Sequence, residues 1–133
     1  MGLTEAARAY LGVPFKHQGR TVAGMDCGGL VFLSARDAGI NLIDIKAGYS
    51  KLFKHGVLEN TLNQSPSLIK LPRTTEPVKD DILTFRFTDE PQHLAIFTGT
   101  GLIHAYSAAG KVAEHKFVGF WRSRVASIYR VVG

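Results

Sequence analysis

The chain has 133 residues, 45% of them apolar and 20% charged, with a net charge of +5 at neutral pH. That length suits one core and a single domain over residues 1–133, and the composition excludes a disordered or fibrous chain. The one cysteine, Cys27, excludes an internal disulfide and a multi-cysteine zinc knuckle.

Met1 to Arg8 shows no basic stretch followed by an apolar run, and no apolar segment is long enough to span a bilayer. The sequence therefore predicts cytoplasmic synthesis without a signal peptide, and no membrane partner. Lys51, Lys54, Lys70, Arg73, Lys111 and Arg122 are interleaved with acids rather than gathered in a stripe. A solvated basic surface is thus favoured over a nucleic-acid partner.

In chain order, Thr4 is expected to cap a short helix through Ala6, Ala7, Tyr10 and Leu11 that ends at Gly12. Pro14 biases the following stretch toward extended structure. A second helix is predicted from Cys27 to Asp37, stopping at Gly39, with an apolar stripe that includes Leu30, Val31 and Leu33. Leu52, Phe53, Val57, Leu58 and Leu62 suggest a third helix between Ser50 and Leu62, and Ser65 to Pro77 reads as a connector. Five strands follow, at 82–87, 93–97, 102–106, 112–116 and 127–131. Helices first and an antiparallel sheet afterwards make an α+β domain in two layers.

Cys27 stands where a glycine-rich loop turns into the second helix. Asp26 before it is a good N-cap residue, and Gly28 and Gly29 after it are read as clearing the approach to the sulfur. Unpaired N–H groups and the helix dipole at that point favour a thiolate, so a lowered pKa and a nucleophilic role are expected. The base must come from the histidines. His55 and His115 lie in polar stretches and read as surface residues. His93 and His104 each sit in an apolar run, and the Gly99-Thr100-Gly101 turn between the runs brings them near each other across a hairpin.

Ala9–Phe15, Asp26–Val31, His93–Phe97 and Leu102–Ala105 together resemble the NlpC-type cell-wall cysteine peptidases, a papain-like group. The resemblance covers most of the chain and is weakest across residues 41–76. It implies Cys27 as nucleophile, His93 as general base and His104 as the residue that orients His93, with no metal and no cofactor. The implied substrate is a peptidoglycan stem peptide, cut between D-Glu and diaminopimelate through a thioester; such an anionic polymer would also suit the basic charge. A narrower likeness, carried by Pro14–Gln18, Phe120–Arg124 and Tyr129-Arg130, is to phage and gene-transfer-agent members. It implies tail proteins as partners and delivery to the cell wall or periplasm as part of a phage-like particle.

Three positions depart from that family's pattern. Gly28 replaces the usual serine, Phe15 the usual tyrosine, and Asp80 a glycine before the first long strand. Phe15, Asp26 and Gly28 are the expected substrate contacts, with Asp26 as a partner for an amine, and loss of two hydroxyls predicts a weaker demand for a free peptide N-terminus. Two rival readings are a non-catalytic tail-tip or wall-binding module and a zinc site of Cys27, His93 and His104. The first has no use for a glycine-flanked thiol, and the second lacks the close-spaced ligand pair of most zinc sites.

Overall fold

The protein, seen in a computed structural model, is described over residues 1–44, 57–87 and 91–132. Leu3–Arg8 form helix α1, with Gly2 rather than Thr4 at the N-cap. Thr4 is buried within the first turn, where its N–H donates to Asp80 Oδ1 at 2.8 Å and its hydroxyl to the Phe97 carbonyl at 3.3 Å. A carboxylate from a distant loop thus supplies the capping that was expected of a local side chain. Asp80 has φ +76°. That is the left-handed region favoured by glycine and tolerated by aspartate, so Asp80 holds a backbone shape usual for glycine and adds a charge for α1.

A short ribbon of β1 (Arg20–Thr21) and β2 (Gly24–Met25) leads into α2 (Cys27–Asp37). Helix α2 ends as predicted; its Leu30, Val31, Leu33 and Ala35 are buried, while Arg36 and Asp37 face solvent. Helix α3 spans Val57–Gln64 and buries Leu58 and Leu62. The earlier part of the helix expected there, with Leu52, Phe53 and His55, falls outside the described residues.

Six antiparallel strands make the main sheet: β3 (Leu68–Leu71), β4 (Ile82–Arg86), β5 (Pro91–Phe97), β6 (Gly101–Tyr106), β7 (Lys111–Lys116) and β8 (Val125–Val131). Their order is β3-β8-β4-β5-β6-β7. Strand β3 corrects the reading of Ser65–Pro77 as a connector: Leu68–Leu71 pair with Ile128–Val131 along the outer edge of β8. Between β7 and β8 runs the one-turn helix α4 (Gly119–Arg122), which buries Trp121. The architecture is the expected α+β, papain-like one, with N-terminal helices on a C-terminal antiparallel sheet.

Alternation along the strands divides the apolar side chains between two clusters. Leu94, Ile96, Ile103 and Ala105 pack with Leu30 and the helices, whereas Phe85, Phe97, Leu102 and Trp121 pack together on the other side. Each fully buried Leu, Ile or Phe among them contributes about 1.5–3 kcal/mol. Cys27 belongs to the first cluster, whereas the rings of His93 and His104 lie against Trp121 of the second.

Candidate active site

The loop before α2 is built around one carboxylate. Asp26 Oδ1 accepts from the Gly29 N–H and from Arg20 Nη1, both at 2.8 Å, and Oδ2 accepts from the Gln18 N–H at 2.8 Å. Arg20 is itself held by Asp44 through Nε at 2.8 Å. Asp26 therefore caps α2 as predicted, but both its oxygens are engaged by this chain, so it acts by fixing the loop rather than by offering an oxygen to a substrate amine. The need for Gly29 also differs from the expectation. A Cβ there would lie 2.4 Å from the Gly19 carbonyl, so the residue is a glycine because two backbone segments touch, not to clear a path to sulfur.

Cys27 opens α2 and is 5% exposed. Burial pushes its thiol up to about 12, with the Asp26 charge adding to the effect; N–H groups of Leu94 and Gly28 and the Arg20 charge pull the other way and lose. The expected lowering is thus reversed. The helix start does offer donors, but removal of the sulfur from water penalises the thiolate more than those donors favour it. The Leu94 N–H reaching the sulfur also shows where α2 meets the sheet. Strands β5 and β6 pair only at Ile96↔Ile103 and Phe97↔Leu102, so the His93 end of β5 stands apart from β6 at the level of the thiol.

His93 is 6% exposed and His104 fully buried. His93 Nε2 lies 2.5 Å from His104 Nδ1, so the hairpin brings the two together as predicted. His104 Nε2 in turn lies 2.6 Å from Nε2 of His115, whose Nδ1 is 2.9 Å from the Lys116 carbonyl. His115 is therefore half-buried and part of the array, not a surface residue. A signal for it was present: the step of 11 residues from His93 to His104 recurs from His104 to His115. Trp121 spans the row, with its ring 5.9, 5.0 and 5.5 Å from the three imidazoles in turn. Phe85, Phe87 and Tyr106 close the space around His93.

In that apolar setting burial lowers His93 to about 3, with the His115 charge adding to it. Burial likewise lowers His104 to about 2, with His93 and His115 adding to it. The Cys27 thiol and the imidazoles of His93 and His104 are therefore neutral at ordinary pH. The site is suited to proton transfer concerted with attack rather than to a standing ion pair. Ring nitrogens that face one another in sequence do not converge on one point, and among the described residues no group of three or more His, Cys, Asp or Glu side chains could hold a metal ion.

Phe15 borders the same loop. Its N–H donates to the Gly110 carbonyl at 2.9 Å, and it bridges to Met25, two residues before the thiol. Gly28, the other expected substrate contact, is buried in the first turn of α2. Sequence reasoning singled out Cys27, Asp26, Gly28, His93, His104 and Phe15; it missed Arg20, Asp44, His115 and the role of Trp121.

The profile of the NlpC/P60 family matches residues 12–130. The sequence matches none of the curated proteins with which it was compared. Among solved structures, an NLP/P60-family, lipoprotein-like protein of Staphylococcus aureus is similar over 98% of this chain at 18% identity and a TM-score of 0.71. The NlpC/p60 domain of the peptidoglycan hydrolase SagA aligns over 98% of this chain and 97% of its own length, at 21% identity and a TM-score of 0.65. The peptidoglycan hydrolase RipB of Mycobacterium tuberculosis does so over 98% of this chain, at 19% identity and a TM-score of 0.69. The chain spans 40% of the Staphylococcus protein and 63% of RipB. These likenesses establish the fold.

Proposed function

Since the chain belongs to the NlpC/P60 family, whose members are cysteine peptidases and peptidoglycan hydrolases, we propose that it cuts peptidoglycan stem peptides with Cys27, His93 and His104. The observation that carries this is the seating of Cys27 against Leu94, the neighbour of a His93 whose Nε2 is already tied to His104. That bond leaves Nδ1 as the nitrogen of His93 that takes the thiol proton. The Cys27 sulfur then adds to the scissile carbonyl, and the oxyanion is met by the Cys27 N–H at the start of α2, a donor worth about 3 kcal/mol. His93 returns the proton to the departing amine, and a thioester forms. Water, deprotonated by His93, adds to the thioester carbonyl; collapse releases the acid and restores the thiol.

The bond chosen is that between D-Glu and diaminopimelate, and the carrier is a phage-like tail, both on the strength of the resemblance alone. Gly28 and Phe15 form the wall of the site toward the substrate N-terminus. Neither presents a hydroxyl, so glycan-linked peptides are accepted as well as free ones. A binding module of the same fold is the rival reading. Purified peptidoglycan digested by wild type and by Cys27→Ala, with mass spectrometry of the fragments, separates the two. New amine termini at the stem peptide are expected from wild type only, and kcat/KM for muramyl-linked and free tripeptide should agree within about tenfold. No cleavage by either protein sinks the hydrolase reading.

A further inference from the structure

The triad leaves His115 without a task, although it is bonded to a member of that triad. We propose that His115 is a positioning residue: by accepting from His104 it sets the tautomers of all three histidines and leaves the Nδ1 lone pair of His93 free to act as base. The inference rests on the catalytic reading for the role of His93, but its core is a statement about where three protons sit.

The chain of bonds starts at a group with no choice. A peptide carbonyl only accepts, so the 2.9 Å contact from His115 Nδ1 to the Lys116 oxygen places the His115 proton on Nδ1. When His115 is uncharged it has this one N–H, and its Nε2 is then an acceptor. His104 Nε2, 2.6 Å away, must donate to it, which leaves His104 Nδ1 as an acceptor. His93 Nε2, 2.5 Å from that atom, must donate in its turn. The lone pair of His93 therefore falls on Nδ1.

Without the Lys116 carbonyl the array could run in either direction. In the opposite direction His93 would carry its proton on Nδ1 and present a donor to the thiol, which cannot take a proton from it. His104 alone has no means to choose, since both its nitrogens face other imidazoles. Burial of His93 and His104 keeps both uncharged, which makes each proton assignment exclusive. The geometry that holds the chooser in place is local: Leu102↔His115 is a paired position of β6 and β7, and the His115 ring is braced by Trp121 at 5.5 Å.

The test reads the protons directly. Long-range proton–nitrogen NMR of the 15N-labelled wild-type protein near neutral pH should report Nδ1–H for His115 and Nε2–H for His104 and His93. His115→Phe keeps a ring against Trp121 but removes the acceptor; the His104 and His93 signals should then show mixed tautomers. On a stem peptide kcat should drop about tenfold to a hundredfold with KM within twofold, because only the base is affected. His115→Gln, whose side-chain oxygen accepts from His104, should restore the tautomers and most of kcat. An Nδ1–H tautomer of His104 in wild type overturns the proposal. So does a His115→Phe protein with wild-type tautomers and kcat. If wild type fails to cut peptidoglycan at all, the catalytic reading falls, and the NMR signals still decide whether His115 sets the protons.

Discussion

The loop that carries Cys27 and the row of histidines are fixed by opposite means. The loop is held by charge and by bare backbone: Asp26 takes bonds from Arg20, Gln18 and Gly29, and Gly29 touches the Gly19 carbonyl. The histidines are held by rings and neutral hydrogen bonds, with Trp121, Phe85 and Tyr106 around them and no carboxylate among the partners described. Charge close to Cys27 is tolerable because Asp26 is matched by a guanidinium 2.8 Å away. Among the histidines an unmatched charge has no such partner. Changes of size or charge should therefore break the loop, and changes of protonation should break the row.

The sharpest contrast is in turnover. His93→Ala should lower kcat/KM on stem peptides by about a thousandfold or more while thermal unfolding shifts by only a few degrees; His104→Asn, which can still accept from His93, should retain more activity than His93→Ala. A folded His93→Ala protein with most of its activity would show that the base lies elsewhere. On the loop side the effect moves to stability. Asp26→Ala takes one of two carboxylates from Arg20, which keeps Asp44, and removes the cap of α2 and the acceptor of the Gln18 N–H, and a loss of about 2–3 kcal/mol is expected in urea unfolding. A change under about 1 kcal/mol would mean that the ion pair is not what holds the loop.

Acid should act on the histidines. The unfolded chain binds protons at His93 and His104 below about 6.5, whereas the folded chain refuses them until about 3 and about 2. Stability is therefore complete above about 6.5 and falls as the pH drops toward 3, by up to about 1.4 kcal/mol per pH unit for each histidine. The His93→Gln, His104→Gln double variant should flatten that slope in urea melts at a series of pH values, and an unchanged slope would remove the buried pair as its source. The smallest effect concerns the thiol. With its pKa pushed up to about 12, Cys27 should react slowly with iodoacetamide at pH 7, the rate climbing only beyond the ordinary thiol value of about 8.5. Rapid alkylation at pH 6 would restore the thiolate that the helix start alone suggests.

The same contrast explains what was legible in the sequence. Helix α2, its Asp26 cap and the cysteine at its mouth are written in adjacent residues, and α2 was read with the bounds it has. The His93–His104 approach was read because one short turn joins their strands. What was missed depends on distant parts of the chain. Leu68–Leu71 carry no clear alternation and become a strand through β8, some sixty residues on. Thr4 looked like a cap, yet the cap contact comes from Asp80. The direction of the thiol shift was misjudged because the local donors are visible in sequence and the burial that outweighs them is not.

The strand order has a consequence for how the enzyme comes into being. Strand β8, Val125–Val131, lies between β3 and β4, and at the other end of the sequence the residues from Gly12 to Phe15 bond to Gly110 and Val112. A chain emerging from the ribosome can form α1 and α2 early, but β5, whose Leu94 meets the thiol, follows later with its neighbours β4 and β6, and β8, next to the outermost strand, arrives last and joins β3 to them. Contacts of such long sequence separation close slowly and together. Cys27 and His93 are consequently brought together only when β5 docks on α2, and a chain that stops short of β5 carries the thiol without its histidines.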